Sequence, residues 1–190
     1  TPRHNTSQDA QQIALPVISP LDEVAIPDKP YGVVTLHRFA NIRSHTALLR
    51  VIELVEQIAG KRHLVFILHK PTEIKLRKFG FYTRLEKNPN IELRERYDYF
   101  RFIRLIIDAD LVVSDGGSNQ EECHYLGKPV ILLRMATERH EGLGRNCVLS
   151  CYDSSIVSDF TDNLARYSFE RLQPTDSPSG IIVEHCVQFS

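Results

Sequence analysis

Residues Asp110 to Pro129 read DLVVSDGGSNQEECHYLGKP, and the fold follows from how this stretch is parsed. Leu111-Val112-Val113 is a short apolar run between Asp110 and Ser114, the signature of a strand buried on both faces of a parallel sheet. Gly116 and Gly117 follow at once. Ser118, Asn119, Gln120, Glu121 and Glu122 then open a helical segment that stops at Gly127, with Pro129 two residues on. The order is strand, glycine turn, helix N-terminus. Glycines let backbone approach a ligand closely, and a first helical turn offers unpaired N–H groups at the positive end of the dipole. Phosphate is the natural guest. The alternative is a plain strand-to-helix turn capped by Ser118 or Asn119.

Working outward, the same alternation recurs. Tyr31–Leu36, His63–Leu68, Ile91–Arg94, Val130–Leu133 and Cys147–Leu149 read as further strands. Between them, Thr46–Ala59 carries Leu48, Val51, Ile52, Val55 and Ile58 at helical spacing. Thr72–Phe79, with a further turn to Leu85, Asp98–Asp108 and Ser154–Tyr167 read as helices, and Pro178–Val187 as a terminal one. His37–Ser44 reads as an exit loop. Alternating strands and helices with apolar strands predict an α/β fold: a doubly wound parallel sheet in a three-layer, Rossmann-like domain. Residues 1–28 are polar and then punctuated by Pro16, Pro20 and Pro27, which predicts a linker or N-terminal arm ahead of a domain over 29–190. The chain begins without Met, as a piece of a longer protein would.

The chain has 190 residues, is 42% hydrophobic and 25% charged, and carries a net charge of −1. Those values suit a soluble globular domain and give no basic footprint for nucleic acid or an anionic membrane. No run approaches the length of a membrane span. The four cysteines, Cys123, Cys147, Cys151 and Cys186, form no metal-binding spacing and read as reduced thiols of a cytoplasmic protein. No metal or cofactor is expected.

Ligands of such sheets sit beyond the carboxyl ends of the strands. The residues found there are Thr35, His37 and Arg38; His69 and Lys70; Arg94, Glu95, Arg96 and Tyr97; Gly116, Gly117 and Ser118; then Arg134, Thr137, Glu138, Arg139 and His140. Cations and hydrogen-bonding groups crowd one edge, which suits a phosphorylated ligand. Each residue also has a plainer reading. His37 and Arg38 can pair with carboxylates, His69 can be a core-edge histidine, and Arg139 can pair with Glu138 or Glu141. Glu122 lies one turn past Ser118 on the same helix face. It can accept the hydroxyls of a ribose or, like Glu121, merely steady the helix dipole.

Four motifs now carry a resemblance: TLHRFAN after the first strand, YDYFRF before the fourth, DGGSNQEE, and LGKPVILLRMATER. In this order they resemble the non-hydrolysing UDP-N-acetylglucosamine 2-epimerase family over Tyr31 to Tyr167. The resemblance implies the second of two Rossmann-like domains of a glycosyltransferase-B-like fold, with the active site in the cleft and the N-terminal domain absent from this chain. It implies interconversion of UDP-N-acetylglucosamine and UDP-N-acetylmannosamine by elimination and re-addition of UDP, for cell-surface polysaccharide precursors, in a full-length homodimer. It implies that His37 is catalytic near the diphosphate, that Phe102 packs on the uracil and that Tyr97 lies near the base. Gly116, Gly117 and Ser118 would cradle phosphate, Glu122 would bind the ribose, and Arg139 would touch the ligand; Arg38 and His69, from their place at the strand exits, are expected to touch UDP as well. The family's usual Ser-Gly-Gly order is here Gly-Gly-Ser, which moves the hydroxyl two positions and leaves the backbone donors in place. Two other readings share these features: the nucleotide-sugar domain of a glycosyltransferase, and a non-catalytic nucleotide-sugar-binding module.

Overall fold

The computed structural model describes residues 24–172. Six strands form one sheet in the order β3-β2-β1-β4-β5-β6, all neighbours parallel. They are β1 (Tyr31–Leu36), β2 (His63–Leu68), β3 (Ile91–Glu95), β4 (Leu111–Ser114), β5 (Val130–Leu132) and β6 (Cys147–Leu149). The expected doubly wound sheet is present, and the chain reverses direction between β1 and β4. β1 is buried along its whole length because both of its faces are covered. The edge strand β3 is buried only at Ile91 and grades to an exposed Glu95, with Glu92 and Arg94 paired along it at 2.8 Å.

Helices cover both faces. The helices are α1 (Phe39–Ile42), α2 (His45–Ala59), α3 (Lys70–Lys78), α4 (Phe81–Glu86), α5 (Tyr99–Asp108), α6 (Gly117–Leu126) and α7 (Ser154–Asp162). On one face, Leu48, Val51, Ile52, Val55 and Ile58 of α2 pack with Leu76, Leu85 and Phe160 against Val34, Leu36, Phe66 and Val113. Each such side chain, fully buried, contributes roughly 1.5–3 kcal/mol. On the other face, Leu105 and Ile106 of α5 and Cys123 of α6 cover Val33, Val65, Ile67, Val112 and Leu132. Val24 and Ile26 join this second layer, and the Ala25 carbonyl accepts from Arg94. The packed core therefore reaches into the stretch predicted as an arm.

Three predicted elements differ in detail. The exit of β1 is not all loop: α1 forms there as the Arg38 carbonyl accepts from the Asn41 and Ile42 amides at 3.0 and 3.3 Å. The helix predicted over Thr72–Phe79 ends at Lys78 as α3, and the further turn predicted to Leu85 is a separate helix, α4, because Gly80, at φ +80°, turns the chain left-handed between them. The helix predicted to Tyr167 ends at Asp162, where Asn163 leaves helical geometry at φ −121°, and a 3₁₀ turn over Leu164–Tyr167 follows. The predicted helix Pro178–Val187, like Cys186, lies outside the described residues.

Candidate functional site

The site lies where the sheet reverses direction, beyond the carboxyl ends of β1 and β4. Its floor is the start of α6. Gly116 is the N-cap residue and no side chain caps the helix, so neither Ser118 nor Asn119 fills the capping role that the plain reading gave them. The first-turn amides point outward without intrahelical partners. The glycines are not there for left-handed geometry, since Gly116 has φ −94°. They make room for side chains. A Cβ on Gly116 would lie 2.7 Å from His37 Cε1, and one on Gly117 would lie 2.6 Å from Arg139 Nε.

A cavity of about 560 Å³ opens beside this turn. His37, His69, Tyr97, Phe102, Ser118 and Glu122 all line it, so the structure brings these six predicted residues together. Thr35, Arg96, Tyr99 and Asn119 line it as well. The walls have distinct sources. His37 comes from the exit of β1, His69 from the exit of β2, Arg96 and Tyr97 from the exit of β3, Tyr99 and Phe102 from α5, and Ser118, Asn119 and Glu122 from α6.

Arg38 and Arg139 stand beside the turn and not on the cavity wall. Arg38 reaches Glu138 at 3.1 Å, and Glu138 also takes the buried Arg134 at 2.5 Å. Arg139 pairs with Glu121, not with the Glu138 or Glu141 foreseen as its plainer partners. Glu121 is thereby a charge partner across the turn and more than a dipole acid.

The histidines form a tilted pair, with ring centroids 5.0 Å apart. Thr35 Oγ1 lies 3.1 Å from His69 Nε2. Burial, then the neighbouring His37, holds the His69 imidazole below its ordinary pKa, so it favours the neutral form. Glu122 is shifted the other way. Burial raises its pKa, opposed by a hydrogen bond from Asn119 Nδ2 at 3.0 Å. Burial and the Glu122 charge raise the Tyr99 phenol as well.

Asp115 is the residue that sequence reasoning passed over. It was quoted inside the motif and given no role, yet it is fully buried at the head of the turn. Its carboxylate accepts from the His37 and Arg38 amides, each at 3.0 Å. Asn41 was missed too; it donates to Asp115 Oδ2 at 3.0 Å. The only sequence signal was an acid directly between a buried strand and a glycine turn, where it can reach only neighbouring strand exits. Among the described residues, no group of three or more His, Cys, Asp or Glu side chains is placed to hold a metal ion. Nor is any described helix long and apolar enough to cross a membrane.

Strand order 3-2-1-4-5-6 with a cavity at the reversal defines the class: a Rossmann-like, doubly wound α/β domain. The family model described as UDP-N-acetylglucosamine 2-epimerase matches residues 5–179. The chain belongs to that family. The UDP-N-acetylglucosamine 2-epimerase of Methanococcus maripaludis is 34% identical over 144 residues, which is 70% of this chain and 39% of that protein. The structure of the UDP-GlcNAc 2-epimerase from Methanocaldococcus jannaschii superposes with a TM-score of 0.75 at 25% identity, over 90% of this chain and 48% of that one. The Neisseria meningitidis enzyme bound to UDP-GlcNAc gives 0.69 at 26% identity, over 88% and 48%. The chain thus spans less than half the length of these relatives.

Proposed function

We propose that this chain is the UDP-binding C-terminal half of an enzyme that interconverts UDP-N-acetylglucosamine and UDP-N-acetylmannosamine. One observation carries the reading: a single cavity has His37 and Ser118, from the uncapped first turn of α6, at one end, and the half-buried Glu122 carboxylate one helical turn away, with the Gly116–Gly117 turn beside the cavity. That spacing suits a diphosphate next to a ribose. Phosphate favours the helix N-terminus by dipole and N–H donation, so the amides of Gly117 and Ser118 are its seat, the Gly116 amide being taken by Ser114 Oγ at 3.0 Å. Glu122 accepts the ribose hydroxyls. Phe102 and Tyr97 supply the apolar wall for the base, with His69, Arg38 and Arg139 framing the phosphates.

In the reaction, the C2 proton is removed and the C1–O bond to UDP breaks, leaving a glycal and free UDP. UDP then adds back to C1 as a proton enters C2 from the opposite face. This domain holds UDP through both steps, and His37 meets the charge that builds on the leaving phosphate. The carboxylates that move the C2 proton belong to an N-terminal Rossmann-like domain across the cleft. A cytoplasmic homodimer of the full-length protein fits this reading, and the product feeds cell-surface polysaccharide precursors.

The test uses the chain alone and the full-length protein. The chain alone binds UDP weakly in calorimetry and leaves UDP-N-acetylglucosamine unconverted. The full-length protein exchanges the C2 proton in deuterated water. Conversion by the isolated chain would show that the second domain supplies nothing essential.

A further inference from the structure

The buried Asp115 is the hub of a chain of hydrogen bonds that starts far from the cavity. Asn41 Nδ2 donates both to Asp115 Oδ2 and to the Leu133 carbonyl, each at 3.0 Å. With its nitrogen committed to two acceptors, the Asn41 carboxamide turns its oxygen to the Tyr152 hydroxyl, which donates across 2.7 Å. Tyr152 lies just past β6. Its backbone, with that of Cys151, is left-handed at φ 58° and 47°, a geometry that costs non-glycine residues on the order of 1–3 kcal/mol each. The Arg50 guanidinium stacks 3.5 Å from the Tyr152 ring centroid and fixes its direction. The strained turn thus aims one hydroxyl at the exit of β1.

The other end of the chain meets His37. Its Nδ1 lies 3.4 Å from Asp115 Oδ1. Its Cε1–Nε2 edge lies over Gly116, where an added Cβ would be 2.7 Å from Cε1 and 3.4 Å from Nε2. The two ring nitrogens therefore face different surroundings: a carboxylate oxygen on one side, the head of α6 on the other. A carboxylate oxygen favours an N–H opposite it and repels a lone pair.

We propose that Asp115 is a positioning residue that holds His37 as the Nδ1–H tautomer, backed by Asn41 and Tyr152, so that Nε2 presents its lone pair toward the α6 N-terminus. This rests on His37 acting at the diphosphate. In that role Nε2 takes a proton from solvent or substrate and returns it to a phosphate oxygen of departing UDP, with Nδ1–H anchored throughout. The 3.4 Å contact is longer than a formed hydrogen bond and tightens as the imidazole gains charge.

The test is long-range proton–nitrogen correlation NMR on the chain labelled at histidine nitrogen, at a pH where the ring is neutral. In the unmodified chain, His37 Nδ1 resonates as the protonated nitrogen and Nε2 as the unprotonated one. Asp115→Asn offers an N–H in place of a carboxylate and lowers the Nδ1–H:Nε2–H ratio by roughly tenfold, the worth of one charge-assisted contact. Tyr152→Phe keeps the ring and its stacking, and lowers the ratio by about twofold. If Asp115→Asn does not fold, Tyr152→Phe carries the comparison. An Nε2–H wild type overturns the proposal, as does an unchanged ratio in a folded variant. No nucleotide enters these measurements, so the tautomer is judged apart from UDP binding, which a titration of the same samples measures.

Discussion

Asn119 and Glu122 are joined along one face of α6, with the Asn119 amide donating to Glu122 Oε2 at 3.0 Å while its oxygen faces Ser114 Oγ at 2.9 Å. The carboxylate is therefore aimed before any ligand arrives, which lowers the ordering cost of binding. Glu122→Gln is expected to weaken UDP binding by at least about tenfold, since charge-assisted hydrogen bonds are worth roughly 1.5–3 kcal/mol. Wild type should also discriminate UDP from 2′-deoxy-UDP, and the variant should not. Because burial raises the Glu122 pKa, the carboxylate is lost at a higher pH than an ordinary glutamate's. UDP affinity should accordingly fall on mild acidification in wild type and stay flatter in the variant. Equal discrimination by both proteins would return Glu122 to a helix-steadying role.

The glycine turn can be tested by adding one carbon. Gly116→Ala keeps an allowed φ of −94° and sets a methyl 2.7 Å from His37 Cε1, so the ring must move. The expected outcome is UDP affinity reduced several-fold, on the order of 1 kcal/mol, with the denaturation midpoint nearly unchanged. Full UDP affinity in Gly116→Ala would show that the position of the His37 ring does not matter for binding.

His37→Ala in the full-length protein should cut turnover by about 100- to 10,000-fold, the range for general acid–base groups. His37 lies on the cavity wall and is partly exposed, so the fold should lose little. Turnover within a factor of about two of wild type, measured on a folded variant, would leave His37 a structural residue.

Stability should fall between about pH 7 and pH 5. Burial is the largest cause lowering both histidines, joined by Lys29 at His63 and by His37 at His69. A histidine with a depressed folded pKa binds its proton more readily when unfolded. Stability is therefore lost as pH drops below the unfolded value of about 6.5 toward the folded one. Glu122, raised by burial, acts in the opposite sense, so the comparison with His69→Gln isolates the histidine contribution. Urea midpoints across the window should fall with pH, and less steeply in His69→Gln. A flat profile in wild type refutes the assignment.

The strands were legible because parallel-sheet burial leaves an uninterrupted apolar run, and Tyr31–Leu36, His63–Leu68 and Cys147–Leu149 have their predicted bounds. The ligand edge was legible because topology alone places every strand exit on one side. What could not be read was which side chains meet across that edge. Arg139 finding Glu121, and Asn41 finding both Asp115 and Tyr152, join segments far apart in the chain, and no local spacing encodes them. The roles of Gly116 and Gly117 were hidden for the same reason, since the groups that need the space come from other loops. The end of α3 near Phe79 was legible, but the left-handed turn at Gly80 was not, because a glycine marks a helix end without fixing the conformation that follows.

The two outer strands have a consequence for assembly. β3 carries its Glu92–Arg94 pair along the open edge, and β6 is only three residues long. Unpaired edges are where sheets recruit foreign strands, and charge and brevity are the usual defences. Among the described residues the sheet has six strands, and these two borders discourage a seventh from another molecule. A partner is left the helix faces or the loops beyond the strands, and a groove closed over those loops stays free of β-pairing.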